Sequence, residues 1–586
     1  MTAHIGLRGR FVPASKRWRS EDLDEMVRAH LNPGDHLHLA STPARPGALI
    51  RAVGRCFAGA QPGFVVSSAA MSGIAHVLVL AGVVDRVVTC FAGDTFPTPR
   101  PNGLYSRTPW GDPFTLEEWS LLSFTQRLMA AAMGVPYAVT SSLYGSDLVV
   151  GKSGLMPIDE GRAMLMPALR PDVTLLHGLC SDTRGNIALR APYGEGAWGA
   201  LAARRGVVAT VEKVVSDDRF AALRDCVIVP ASRVLALTEA PFGAHPQGYQ
   251  GHSEAGIDGY RDDYAFQAEV TARTGGAESG PAWYAEWVTE PSGHAGYLNR
   301  LGAERLDGLR MSTASVPPTR VTRDMSERPA TERDRLIVLA ARAIAARLTH
   351  GRYEVVLAGI GASHLAAWLA ADLLRRAGGP DVQVIAELGF VGMHPVSGDP
   401  QLFSQDHIAG CDHVAGVPEV LGAMAAGGSG RCLGVLGAAQ IDRYGNINSS
   451  RTADGSYLIG SGGANDVAST ADTLVVATAR PNRYVERVPF ITSPGRRVAA
   501  VVSQFGTFEP ASGDRFALKT WLRPDDEDAD PEKTIRALTS WPAQLDERFE
   551  DEAPISAAEL GALRRLTFKH NGAPSPRIAA CGGVPS

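Results

Sequence analysis

One carboxylate stands where an α/β protein presents its ligand-binding residues. In DVQVIAELGFVGMHP (381–395), Glu387 closes an apolar run and is followed by Gly389 and Gly392. Parallel sheets bind ligands at the carboxyl ends of their strands, and a carboxylate buried there is costly unless it is used or paired. Nucleophilic or proton-transfer chemistry is the work a glutamate does in such a place. A second element supplies the donors that such chemistry needs. IGSGGAND (459–466) sets three glycines around a serine, so successive N–H groups, those of Gly462 and Gly463 with Ala464, are able to face one concavity as an anion nest or oxyanion hole. A third pair, Gly359 and Gly361, lies between a strand and the Ala-rich helix expected over 364–376, where a cofactor is able to approach a helix N-terminus.

Several common signatures fail. GSDLVVGKS (145–153) has a phosphate-loop look, but its spacing is one residue too long and position 146 is Ser. GIGASH (359–364) ends in His where a dinucleotide-binding turn needs Gly, and no Gly-x-Ser-x-Gly occurs. His36 and His38 share one face of a strand, and Asp406, His407, Cys411, Asp412 and His413 cluster, yet none meets zinc spacing. They read as polar loop residues, and no metal is expected.

The elements that must position these residues are legible as alternating apolar runs and Ala-rich amphipathic stretches. HLHLA (36–40), GFVVSS (63–68), RVVTCF (86–91), DVTLLHG (172–178) and GVVATV (206–211) read as strands of a largely parallel sheet covered on both faces. A second series starts at Thr331, which N-caps the helix of TERDRLIVLAARAIAARL with Asp334 three residues on. YEVVLAG, DVQVIAE, CLGVLGA and TLVVAT follow as strands. Between the series, residues 311–330 carry three prolines and five charges and read as a linker, dividing the chain into 1–310 and 331–586. Both parts contain Asp-x-x-Gly-Asn-Ile after a strand, at 182–187 and 442–447, the mark of a duplicated unit with a cleft between its copies.

Composition narrows the function classes. The 586 residues carry 57 Lys+Arg against 62 Asp+Glu, a net charge of −5, which offers no basic field for nucleic acid. Seven scattered cysteines with no Cys-x-x-Cys argue against a disulfide framework and for a cytoplasmic setting. The most apolar stretch, 67–84, is interrupted by Ser72 and His76, which argues against a membrane span. Gly is in excess, at 63 residues, as a chain with many tight turns and close backbone approaches requires. The acidic run DDEDAD (525–530) reads as a solvated loop.

Glu387 with its glycines, GAAQIDRYGNINSS (437–450), GSGGAND (460–466) and ITSPG (491–495) resemble the β subunit of glutaconate CoA-transferase, a class I CoA-transferase. GDHLHLAS (34–41), PDVTLLHGLCSDTRGN (171–186), APFGAHPQGY (240–249), AEWV (285–288) and YLNRLGAERL (297–306) resemble its α subunit, so the chain is similar to both subunits fused. The resemblance implies two related open parallel-sheet α/β domains (a NagB-RpiA-CoA transferase-like fold) with the active site between them. It also implies a ping-pong transfer of coenzyme A between carboxylic acids through a Glu387 thioester. By the same token Gly462 and Gly463 would hold oxyanions, Gln440 and Asn446 would orient Glu387, and Gly359, Gly361, Ala464 and Asn465 would line the CoA site. CoA would be a substrate, with no permanently bound cofactor, and the fused chain would form a homodimer or homotetramer. The turns ASTPARPGAL (40–49) and FVVSSAAMSG (64–73) depart from the family's Gly-rich pattern in the part expected to shape the acyl pocket. Hydrolysis or C–C cleavage of an acyl-CoA is the alternative activity on this fold.

Overall fold

A computed structural model describes residues 16–40, 44–311, 328–350, 352–428, 430–511, 515–524 and 529–567. Most of the predicted linker, part of the 40–49 turn and most of the acidic run lie outside the described residues.

The apolar runs do form strands, and their partners explain their composition. Val173–Ser181 is buried along all nine residues. It pairs in parallel with His36–Leu39 on one side and Gly206–Val214 on the other. Phe64–Ser68, Val84–Thr89 and Thr115–Glu118 extend the same parallel run. With neighbours on both edges and helices such as Gly47–Phe57 and Leu121–Ala132 over the sheet's faces, the central strand Val173–Ser181 has no solvent-facing side and carries no polar alternation. This sheet has nine strands, and a second sheet has ten. The second has a parallel centre of Gln383–Ala386, Val355–Ala358, Cys432–Gly437, Asp472–Val476 and Val498–Val502. Antiparallel strands flank both parallel centres, including Phe390–Val391 and Gly506–Ala511 beside the second. Both sheets are thus mixed, with the expected parallel order where the site residues emerge.

Thr331 caps the helix Glu332–Thr349 as the sequence predicts: its hydroxyl accepts from the Asp334 N–H at 3.1 Å, and Asp334 accepts from the Thr331 N–H at 3.0 Å. The two Asp-x-x-Gly-Asn turns match bond for bond. Asp182 accepts from the N–H groups of Arg184 and Asn186 and from the Asn186 amide; Asp442 accepts from those of Tyr444 and Asn446 and from the Asn446 amide. Each turn closes on a left-handed glycine, Gly185 at φ +94° and Gly445 at φ +81°. Asn186 Oδ1 then takes the Ala231 N–H and Asn446 Oδ1 the Gly495 N–H, each at the entry of a short 3-10 turn.

The two sheets do not keep separate interiors. One hydrophobic cluster joins Leu122, Phe124 and Leu128 to Val420, Leu421 and Val467, so the layer between the sheets is continuous core.

Candidate active site

Glu387 opens the three-residue turn that reverses the chain from Gln383–Ala386 into Phe390–Val391, with Ala386 opposite Phe390. The turn needs glycine at its end: Gly389 has φ +118°, and a Cβ there would lie 2.1 Å from the Ala415 carbonyl oxygen. Glu387 is half-buried, and its Oε2 accepts a hydrogen bond from the Gly463 N–H at 3.0 Å. A Cβ on Gly463 would fall 2.2 Å from that same oxygen, so only glycine admits the carboxylate to this backbone. The Gly-rich loop is fixed from the other sheet. Gly462, at φ +52°, donates to the Cys90 carbonyl at 2.9 Å and accepts from the Leu121 N–H at 3.0 Å.

Asp466 lies one helical turn beyond Gly463. It accepts from the Ser120 hydroxyl at 2.6 Å and from the Leu122 N–H at 2.9 Å. Two carboxyls near each other and largely withdrawn from water oppose each other's ionisation. Burial first, and then the Asp466 charge, push the Glu387 carboxyl up to about 7, while the Gly463 N–H works in the opposite direction. Burial also raises Asp466, to about 6, against its bonds from Leu122 and Ser120.

The remaining expected site residues are placed as follows. The Gly462 N–H is already engaged by Cys90, and the Ala464 N–H donates to Ser461 at 3.1 Å. A three-donor nest open to a ligand is therefore not formed, and Gly463 alone addresses Glu387. Asn465 is a brace: its side chain accepts from the Leu143 N–H and donates to the Thr492 carbonyl. Gly359 donates to the Val435 carbonyl and Gly361 to the His364 ring, so both N–H groups are spent on strand and helix, and it is Ile360 between them that faces the cleft. Gln440 and Asn446 are not joined to Glu387 by any hydrogen bond among the described residues. Gln440 bonds to Asn482 and Asn448, and Asn446 closes the Asp442 turn, because an Asx turn consumes both ends of the amide.

Glu387, Leu388, Gly462 and Leu121 line one cleft together with Arg45, Ala70, Phe91, Gln247, Gln401 and Phe403. It encloses about 830 Å³, part of it open to solvent. Its walls come from both sheets, and loops from each cross to the other: Gly194 donates to the Leu388 carbonyl, and Val417 to the Gly194 carbonyl. The 406–413 run lies elsewhere, with Asp406 bound to Arg261 and His407 accepting from the Val396 N–H. Among the described residues no group of three or more His, Cys, Asp or Glu is placed to hold a metal, and no helix is long and apolar enough to cross a membrane. Asp466, Ser120, Arg45 and Gln247 were not singled out from sequence. Asp466 had a signal, as the one acid in a segment of small residues; the others meet the site only through tertiary contacts.

The site is thus a carboxylate on a glycine N–H, on the wall of a cleft between two mixed α/β sheets. The family model for coenzyme A transferase matches residues 20–240 and 337–504, roughly two thirds of the chain. The chain belongs to the coenzyme A transferase family. Its relatives in that family include both subunits of the 3-oxoadipate CoA-transferase of Pseudomonas knackmussii. One of them is 32% identical over 30% of this chain, which spans 61% of that polypeptide. The other is 31% identical over 38% of this chain and 90% of its own length. One chain thus aligns with both parts of a two-subunit CoA-transferase. Among solved structures, the acyl-CoA transferase YdiF of Escherichia coli O157:H7 shares the fold, with a TM-score of 0.63 over 92% of this chain and 96% of YdiF at 15% identity. YdiF has also been solved as a thioester complex with CoA.

Proposed function

We propose that the protein transfers coenzyme A from an acyl-CoA to a carboxylic acid, with Glu387 as the covalent nucleophile. The observation that carries the reading is the Glu387 carboxylate held on the Gly463 N–H at the wall of the cleft. The ionised carboxylate attacks the donor's carbonyl carbon; the C–S bond breaks, CoA leaves as thiolate, and a mixed anhydride remains on Glu387. The thiolate then attacks the glutamyl carbonyl, the donor acid leaves as its carboxylate, and Glu387 holds CoA as a thioester. The acceptor acid runs the two steps in reverse, so one difficult exchange is divided into easier ones.

Gly463 has a defined place in this scheme. Whenever the glutamyl carbonyl is attacked, negative charge develops on a Glu387 oxygen, and the N–H that already bonds Oε2 meets that charge without reorganisation. Such a donor contributes roughly 3 kcal/mol to the transition state. The oxyanion on the substrate's own carbonyl finds no free Gly462 or Ala464 donor and is left to other groups of the cleft. The raised Glu387 makes ionisation a condition of attack, so acyl transfer rises with pH through about 7.

Incubation with an acyl-CoA followed by borohydride or hydroxylamine should modify Glu387, detected by peptide mass. An unmodified Glu387 in an enzyme that turns over refutes the scheme, and turnover without any acceptor acid makes the protein a thioester hydrolase instead. We also propose a homodimer or homotetramer, by the family resemblance; light scattering that finds only 62 kDa particles refutes it.

A further inference from the structure

Away from the cleft, a small sheet turns apolar side chains to both of its faces. It has three antiparallel strands, Tyr137–Thr140, Ala163–Pro167 and Met156–Ile158, with the second in the middle. Antiparallel sheets commonly bury one face and present polar residues on the other. Here the inward face holds Ala138, Thr140, Met164 and Met166, all buried. The outward face is no more polar. Val139 stands opposite Leu165, Leu165 stands opposite Met156, and Tyr137 stands opposite Pro167, so five apolar side chains share one surface. Val139 is 52% exposed, Tyr137 43% and Met156 42%. Among the described residues, seven of the eight exposed large apolar side chains fall between Met133 and Met156. From Met133 to Ile158 the sequence holds only two charges, Asp147 and Lys152, and the chain itself engages both. Asp147 accepts from the Ile491 N–H at 2.7 Å, and Lys152 donates to the Leu148 carbonyl with its ammonium 5.2 Å from the centre of the Trp119 ring.

We propose that this face is the contact between two copies of the chain, packed sheet on sheet about a two-fold axis that crosses the strands. The inference rests on the homo-oligomer proposed above and is independent of the chemistry at Glu387. Size, composition and charge select this occupant. The largest apolar patch on a monomer covers about 300–600 Å², and a standard interface takes about 800 Å² from each partner. Seven large side chains, each exposed by 42% or more, fill that range. Charged residues are depleted from interface cores, and a flat uncharged face meets its own copy without repulsion. The two ends of the face differ in sign. At the Tyr137 end the Arg170 guanidinium donates to the Ala131 and Val135 carbonyls at 3.1 and 3.2 Å. At the other end the turn after Ile158 carries Asp159 and Glu160, which share Arg162, so that turn keeps one negative charge. An axis across the strands lays each end on its opposite, and each copy's Arg170 meets the acidic turn of the other. An axis along the strands would set arginine against arginine. A lipid surface is met by apolar side chains ringed with Lys and Arg, whereas one end of this rim is acidic.

Sedimentation velocity on the full chain over a range of concentrations tests the contact. The wild type should sediment as an even multiple of 62 kDa. Val139→Asp with Met156→Asp sets carboxylates against carboxylates in the contact and should weaken association at least about 100-fold. Both positions are exposed in the single chain, so the separated copies should keep the wild-type circular dichroism. Where the aspartate pair does not fold, Tyr137→Thr with Val139→Thr keeps the strand preference and should weaken association about 10-fold by the same measurement. Arg170→Glu should also weaken it, and Glu160→Arg added to Arg170→Glu should restore it. An oligomer that survives both the aspartate and the threonine pairs, or an Arg170→Glu defect that Glu160→Arg leaves unrepaired, overturns this contact while the homo-oligomer itself stands. A wild type that stays at 62 kDa overturns both. A monomer that floats with phosphatidylglycerol vesicles assigns the face to a membrane and overturns the proposal.

Discussion

Replacing Glu387 by glutamine should make the protein more stable, and more so at high pH. In the fold the carboxyl titrates near 7 against an ordinary 4.5, because burial and Asp466 resist its ionisation. The sign follows from proton binding. Below 4.5 the group is protonated in both states and there is no penalty. Between 4.5 and 7 the unfolded chain releases its proton first, so the folded state loses stability as pH rises. Above 7 the full difference applies, about 3 kcal/mol at 1.36 kcal/mol per pK unit. Integrated from about pH 5 to about pH 8, the wild type should lose roughly 2.5 kcal/mol that Glu387→Gln does not lose. At an unfolding entropy of about 2.1 cal/mol/K per residue, that difference moves the melting midpoint of a chain this long by roughly 2 °C. Calorimetric melts of both proteins at the two pH values measure it. A gap between variant and wild type that stays constant or narrows with rising pH refutes the reasoning, because it would mean that Glu387 ionises as freely in the fold as in water.

Three further outcomes follow from the same geometry. Asp466→Asn removes the like charge but keeps an acceptor for Ser120, so the acid limb of kcat/KM should move below its wild-type midpoint; an unmoved limb contradicts the coupling. Gly463→Ala places a methyl 2.2 Å from Glu387 Oε2 and must displace the carboxylate, so turnover should fall by at least about 100-fold in steady-state kinetics, and wild-type rates would exclude Gly463 as its holder. Asn446→Ala and Asn186→Ala break matching turns, so each should cost about 1 to 3 kcal/mol in denaturant melts. The acid limb of the Asn446 variant should stay where it is; a shift would return Asn446 to the site.

What was legible in the sequence was whatever the local backbone decides. Glu387 stands at a strand end because the apolar run over 384–386 stops there and Gly389 permits the turn; in the Gly462–Gly463 pair, Gly462 takes a left-handed φ of +52° and no side chain at 463 fits against the carboxylate. The Thr331 cap follows from two side chains three residues apart. What local pattern does not carry is the choice among partners. An asparagine in Asp-x-x-Gly-Asn is equally able to orient a nucleophile or to close its turn, and the Asp442 acceptors settle it for Asn446. The donors of Gly359, Gly361 and Ala464 looked available because strand, helix and turn acceptors cannot be assigned before the chain is folded. Arg45 and Gln247 are about two hundred positions apart in sequence, and nothing near either residue signals the other.

The loop that holds Glu387 is tied down by residues from the first half of the chain: Cys90, Ser120, Leu121, Leu122 and Leu143 bond to Gly462, Asn465 and Asp466. Expressed as two polypeptides, such parts would assemble this loop only on meeting, and dilution would set how many were complete. A single chain makes that encounter intramolecular and fixes the stoichiometry at one to one, so the working fraction no longer depends on protein concentration. The covalent join therefore acts on abundance rather than on chemistry: in a scarce enzyme, every molecule synthesised carries its own missing half.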